Sequence, residues 1–294
     1  MRRTFLTQRV GPSFYVDLRQ GFRMGDFACL HIWLLEWRQQ HPSAHLTILW
    51  NGFHWRSVYA RMLPQAWLFE GLADELWEAE SSLDTPPTPP NATSLGDLYT
   101  KIHIWDLWHR FARTKPVTPT IQPPASYQQR AHACLKSLQA PPEFVVLQPL
   151  YDAGYNKQRN AKPLWWKQLG QALACKMPVV VVGSARFMAP LGLASPHIYP
   201  FWQLGQEDPL LSLAVAKQAK AFIGGETGLT LWAGVCGISV VALYRQWKSG
   251  GHFDYRPIGW QAPVVHAPLE GDVPQVVQTI QAVASGQQKE STPL

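Results

Sequence analysis

Between Ala221 and Tyr244 the chain reads AFIGGETGLTLWAGVCGISVVALY, and no other stretch limits the possible folds as strongly. Ala221–Ile223 is a short apolar run broken by Gly224-Gly225, as happens where a buried strand gives way to a loop. Glu226-Thr227-Gly228 then opens a helix whose apolar residues Leu229, Leu231, Trp232 and Val235 run to a stop at Gly237. Ile238–Leu243 is almost purely aliphatic, the signature of a strand buried on both faces. The segment therefore predicts strand, glycine turn, helix, strand. Thr227 can cap the first free amides, and Gly228 lets a ligand approach the backbone closely. Such a turn presents unpaired N–H groups at the positive end of a helix dipole, which suits phosphate. A plain βαβ connection with glycines for packing fits the same pattern.

The rest of the chain repeats the alternation. In the first half, Phe14–Leu18 reads as a strand, Arg19–Asp26 as a loop, and the next helix carries Phe27, Leu30, His31, Leu34 and Leu35 on one face up to His41-Pro42. Leu46–Trp50 is a second strand, Val58–Leu63 a helix and Trp67–Phe69 a short strand. Ser81–Ser94 is a polar loop, and Tyr99–Ala112 is a helix. The proline-rich stretch Thr114–Ser126 reads as a connector, followed by a helix near Gln128–Leu138. The second half opens with strand Phe144–Leu147, the loop 148–162 and a helix with Trp165, Trp166, Leu169 and Leu173. Pro178–Val182 is a strand, Asp208-Pro209 caps and starts a helix, Val264–His266 is a strand, and Asp272 opens a final helix that ends at Gly286. At 294 residues, two domains are expected: 1–138, 139–272, and a helix with a polar tail over 273–294. The expected class is α/β, two doubly wound Rossmann-like domains facing a cleft, with ligands at the carboxyl ends of the strands.

Composition narrows the function. The net charge of +6 fits an anionic ligand or an acidic membrane surface, but no Lys/Arg run exceeds two residues, which argues against a nucleic-acid reader. Cys29, Cys134, Cys175 and Cys236 are scattered without C-x-x-C spacing, so neither zinc nor a disulfide framework is indicated. No 18-residue apolar run is present, and a cytoplasmic location is expected. The fourteen Trp residues suit either core or a sugar or base pocket.

Three segments, in order, resemble glycosyltransferase family 9, the bacterial heptosyltransferases of lipopolysaccharide core assembly, which have the GT-B architecture. They are Met24-Gly25-Asp26 opening a helix, Val146–Leu173 with its loop and Trp-containing helix, and Ile223–Leu243, similar to the family's D-T-G-L-x-H-L-A element. Glu226 stands where the family has Asp, Leu231 where it has His, and Tyr244–Gly251 replaces its G-P-T-x-P run. The resemblance implies transfer of a heptose-like sugar, with inversion, from an ADP-heptose-like nucleotide donor to a glycan or glycolipid acceptor.

Such a reaction needs a base for the acceptor hydroxyl and positive charge for the departing diphosphate. Asp26 is the base candidate, matching the family's catalytic Asp, and an N-cap role is the structural alternative. Lys157, Arg159 and Lys162 are the cation candidates for the donor, unless they lie in a merely solvated loop. Glu226, Thr227, Gly228 and Leu229 match the donor-binding element: Thr227 and Gly228 would cradle the diphosphate through backbone N–H groups, and Glu226 would meet a sugar hydroxyl or simply favour the helix dipole. Arg19 and Arg23 would meet an anionic acceptor or solvent. No D-x-D lies near these loops, so neither metal nor cofactor is expected. His31 and His103 read as core or surface residues. A non-catalytic sugar-nucleotide binding protein and a GT-B-like nucleotide-sugar epimerase remain the alternatives.

Overall fold

The computed structural model describes residues 2–18, 24–50, 67, 69–78, 87–97, 121–149, 160–204, 208–244 and 264–287. Contacts divide the chain into two units, one mainly residues 1–119 and the other mainly from residue 120 on.

The first unit contains β1 (Arg2–Phe5), β2 (Ser13–Leu18), α1 (Met24–Gln40), β3 (His45–Trp50), β4 (Glu75–Glu78) and β5 (Thr93–Asp97). The sheet order is β1-β4-β3-β2-β5, parallel except for the antiparallel edge pair β1–β4. β3 is aliphatic because it is central: Leu46 to Trp50 are all buried. α1 buries Leu30, Leu34, Leu35 and Trp37, and it stops where Pro42 can no longer donate a helical bond.

Asp74, wholly buried just before β4, ties this unit together. Its carboxylate accepts from the Leu46 amide at 2.9 Å, the Thr7 hydroxyl at 2.7 Å, Arg9 at 2.9 Å and Arg38 at 3.0 Å. Burial alone would push this carboxyl up. The four donors and the two guanidinium charges outweigh it and hold the carboxyl below its ordinary range.

The second unit contains α2 (Ala125–Ser137), β6 (Val145–Gln148), α3 (Pro163–Ala174), β7 (Val179–Val181), α4 (Ala185–Met188), β8 (Ile198–Pro200), α5 (Pro209–Ala216), β9 (Phe222–Gly224), α6 (Gly228–Val235), β10 (Val240–Tyr244), β11 (Val264–Pro268) and α7 (Val273–Ala284). All its strands are parallel, in the order β11-β10-β9-β6-β7-β8. Alternate strand residues Val145, Leu147, Val179, Val181, Val241 and Leu243 join α3 and α7 in one core, so Val146, Val180, Val240 and Ala242 point to the other face. α2 packs on α5 and α5 on α6. Asp208 and Asp272 cap α5 and α7 through their carboxylates. α6 ends in a Schellman turn: Ile238 N–H reaches Ala233 O at 3.0 Å and Gly237 N–H reaches Gly234 O at 2.9 Å. Gly237 takes φ +74°, which is why the helix stops there.

Two doubly wound α/β sheets match the expected class, and several details differ. Residue 138 is not the division by contacts, because α2 packs on α5 in the second unit. The last helix is part of the second core rather than a separate appendage. Trp67 and Phe69 are helical rather than extended. β1, β4, β5 and β8 are strands that the periodicity did not mark, and β5 begins inside the expected polar loop. The expected helices at Val58–Leu63 and Tyr99–Ala112 lie outside the described residues.

Candidate functional site: the strand ends at Gln148 and Gly224

Strand order decides where a crevice can form. From β6 the chain winds through β7 to β8 on one side, and from β9 through β10 to β11 on the other. The direction of winding therefore reverses between β6 and β9, whose last residues Gln148 and Gly224 are paired. Connections leaving these two strands diverge, and that is where open α/β sheets bind ligands.

The turn after Gly224 is closed by hydrogen bonds. Thr227 N–H donates to Gly225 O at 2.8 Å. Thr227 itself is extended, at φ −125° and ψ 159°, and is the N-cap of α6: its hydroxyl oxygen accepts from Thr230 N–H at 3.1 Å. The Thr227 hydroxyl donates to Gln148 Oε1 at 3.0 Å, and the Thr230 hydroxyl donates to Gly225 O at 2.7 Å. Both hydroxyl protons are thus committed, although the two oxygens lie 3.1 Å apart. Gly224 has no room for a side chain, since a Cβ there would stand 2.6 Å from Thr230 Oγ1 and 2.8 Å from Phe222 Cε1.

This geometry refines the cradle expected from the sequence. The Thr227 amide is taken by Gly225 and the Thr230 amide by the Thr227 hydroxyl. Gly228 and Leu229, the first two residues of α6, are the ones whose N–H groups have no acceptor within the helix. Gly228 is half-buried, Leu229 is buried, and Glu226 is 7% exposed immediately before the cap. At the far end of α6, Lys217 Nζ donates to Cys236 O at 3.0 Å, a cation on the negative end of the dipole. Burial pushes the Cys236 thiol up to about 12 despite that ammonium.

α3, which follows β6, presents a second helix N-terminus on the same edge of the sheet. Lys162 is its N-cap and its side chain is exposed. Here a carboxylate is already in place: Glu270, at φ +62°, accepts the Lys162 N–H at 2.7 Å. Trp165 Nε1 donates to Gly271 O at 2.9 Å and pins the same turn against α3. Among the described residues, α3 has the Glu270 carboxylate at its N-cap amide, and no carboxylate is bonded to the Gly228 and Leu229 amides of α6.

Asp26 is the third residue of α1, so it stands inside the helix's first turn rather than in the preceding loop or at the N-cap. α1 leaves β2, the strand at which the first sheet's winding reverses between β3 and β5. Arg19, Arg23, Lys157 and Arg159 lie outside the described residues. Leu231 is buried in α6, and His31 is buried in α1. Gln148 was not singled out from the sequence. Its one signal is that it is the first polar residue after the aliphatic run of β6. Among the described residues no group of three His, Cys, Asp or Glu could hold a metal ion, and no helix is long and apolar enough to cross a membrane.

No family model matches the chain, and no curated protein matches it in sequence. Solved structures do match. A glycosyl transferase family 9 protein from Veillonella parvula aligns with TM-score 0.63 at 11% identity, over 95% of this chain and 99% of that one. The fold is that of glycosyltransferase family 9. E. coli ADP-heptose LPS heptosyltransferase II aligns with TM-score 0.53 at 10% identity, over 94% and 99% of the two chains. The resemblance read from three short segments is thus borne out as a likeness of fold along almost the whole chain, with the GT-B pair of α/β units.

Proposed function

We propose that this chain is a glycosyltransferase that moves a sugar from a nucleotide-sugar donor to a glycan acceptor. The observation that carries the reading is the turn at the reversal between β6 and β9, with the Gly228 and Leu229 amides at the start of α6. It is supported by the likeness of fold to family 9 over 95% of the chain. The donor's diphosphate would sit against those amides, with Lys157, Arg159 and Lys162 supplying charge and Glu226 meeting a sugar hydroxyl. Arg19 and Arg23 would meet an anionic acceptor. Asp26 would take the acceptor hydroxyl's proton. The freed oxygen would attack the anomeric carbon on the face opposite the diphosphate, and the carbon–oxygen bond to phosphate would break with inversion. No metal is required in this scheme, because backbone amides and basic side chains receive the leaving charge.

One solved relative of the fold is described as using ADP-heptose, so an ADP-heptose-like donor and a lipopolysaccharide-type acceptor are the first to try. The net charge of +6 suits a peripheral approach to an acidic membrane surface from the cytoplasm. Thermal shift with ADP, UDP, GDP and CDP tests the donor side, since a ligand at about 100 times its dissociation constant stabilises by about 2.7 kcal/mol. Turnover with and without acceptor tests the reaction. A donor changed in the absence of acceptor would indicate an epimerase instead. Leu231, buried in α6 where the resemblance leads one to expect His, favours a second reading: a protein that binds the sugar nucleotide without turning it over. Nucleotide binding with no transfer to any glycan would establish that one.

A further inference from the structure

We infer that Gln148 is a positioning residue for the diphosphate-binding turn, an inference that rests on the donor-site reading above. Three observations lead to it. Gln148 ends β6 and is paired with Gly224, the end of β9, so it stands on the opposite bank of the reversal from the turn. Its Oε1 receives the Thr227 hydroxyl proton at 3.0 Å, a bond between residues 79 positions apart in sequence. A Cβ on Gly224 would come within 3.3 Å of the same Oε1, so the carboxamide is packed against the backbone it faces.

The division of labour within Thr227 makes Gln148 separable from the fold. Capping uses the hydroxyl's lone pair, which accepts the Thr230 N–H. The tether to β6 uses its proton. Losing Gln148's oxygen would leave the cap in place and release the turn from the neighbouring strand. The Gly228 and Leu229 amides follow directly on Thr227, so their aim at a diphosphate depends on that tether. Gln148 acts through Thr227, and the class of ligand affected is an anionic diphosphate rather than the sugar or base.

Two variants test this. Gln148→Met keeps length and removes the acceptor. Gln148→Glu keeps the acceptor and adds a negative charge beside the turn. Binding of ADP, UDP, GDP, pyrophosphate and adenosine is measured by calorimetry, with thermal unfolding followed in parallel. Gln148→Met should weaken the best nucleoside diphosphate and pyrophosphate by about two- to tenfold, the worth of one neutral hydrogen bond. Gln148→Glu should weaken them further, by an amount that shrinks as salt is raised, while adenosine binding stays at the wild-type value. The melting temperature should move little in either variant. Unchanged diphosphate binding in both variants, with wild-type protein binding normally, overturns the positioning role and leaves the donor site standing. Equal losses for adenosine and pyrophosphate, or a large fall in melting temperature, would show a merely structural residue. A wild-type protein that binds none of the diphosphates overturns the donor-site reading and this inference with it.

Discussion

Replacing Thr227 by Val tests whether the hydroxyl network holds the turn. Val keeps the branched shape, and the extended backbone at φ −125° and ψ 159° suits it. What it removes is one oxygen with two bonds, to Thr230 N–H at 3.1 Å and to Gln148 at 3.0 Å. Losing an N-cap costs about 1 kcal/mol, within a range of roughly 0.5–2. The Gln148 bond adds about 0.5–1.5 kcal/mol, towards the low end because Gln148 is half-buried and water can replace the lost partner. The helix should not unravel, since Leu229, Thr230, Leu231 and Trp232 remain buried beneath it. A destabilisation of about 1–2.5 kcal/mol is therefore expected. Urea denaturation followed by Trp fluorescence reads it, because Trp232 and the other buried Trp side chains become exposed on unfolding. Thr227→Ser, which keeps the oxygen, should recover most of the loss. A Val variant as stable as wild type, or a Ser variant as damaged as Val, would refute the reasoning.

Asp26→Asn should lower turnover by about 10²–10⁴-fold with donor affinity intact, measured by steady-state kinetics and calorimetry. Because Asp26 lies in the first turn of α1, the lost charge–dipole interaction should cost only about 0.3–1 kcal/mol in stability. Neutralising Lys157, Arg159 and Lys162 one at a time should weaken nucleoside diphosphate binding at one position at least, by about 1.5–3 kcal/mol; three unchanged variants would move the cation site elsewhere. Asp74→Ala should cost the first unit about 3–5 kcal/mol, because it leaves Arg38 buried without its carboxylate. The folded Asp74 carboxyl lies below its unfolded value of about 3.9, so its contribution is full above that pH and disappears as pH falls through the folded value; stability of the two proteins measured down the acid limb should converge. With a thiol alkylating reagent, of the three described cysteines exposed Cys175 should react first, half-buried Cys134 more slowly, and buried Cys236 only on unfolding, as mass spectrometry would show.

How legible each element was in the sequence follows from where it sits. β3, β6 and β10 are covered on both faces, so they had to be aliphatic, and that is what a reader of the sequence sees. β1 (RRTF) and β5 (TSLGD) are the edges of the first sheet, and β8 (IYP) is an edge of the second. Edge strands are kept short, polar or charged, which removes the periodicity that would reveal them. β4 (ELWE) is flanked by acids and only four residues long, so its two buried positions gave too little pattern. The helix caps Thr227, Asp208 and Asp272 were legible because each is a local matter of one oxygen and one amide two or three residues on. Glu270 at the start of α3 was not, since it comes from 108 residues away.

The site itself was half legible for the same reason. Thr227-Gly228 and Asp26 could be placed after strands by local pattern alone, but strand order is not local. Nothing in the residues 222–228 says that β9 lies beside β6 rather than beside β8. Had it lain elsewhere, the connections leaving two adjacent strands would run over the same face, and a helix would cover the turn. Because β9 pairs with β6, α3 and α6 leave towards opposite faces, the arrangement at which open α/β sheets form a ligand crevice. The same reversal, between β2 and its neighbours β3 and β5, falls where α1 begins and Asp26 sits. Each unit thus brings its candidate chemistry to the one pair of described strands from which the chain winds both ways. Gln148 could not be found in this way, since its bond to Thr227 depends on the strand lying next to it and on nothing in its own segment.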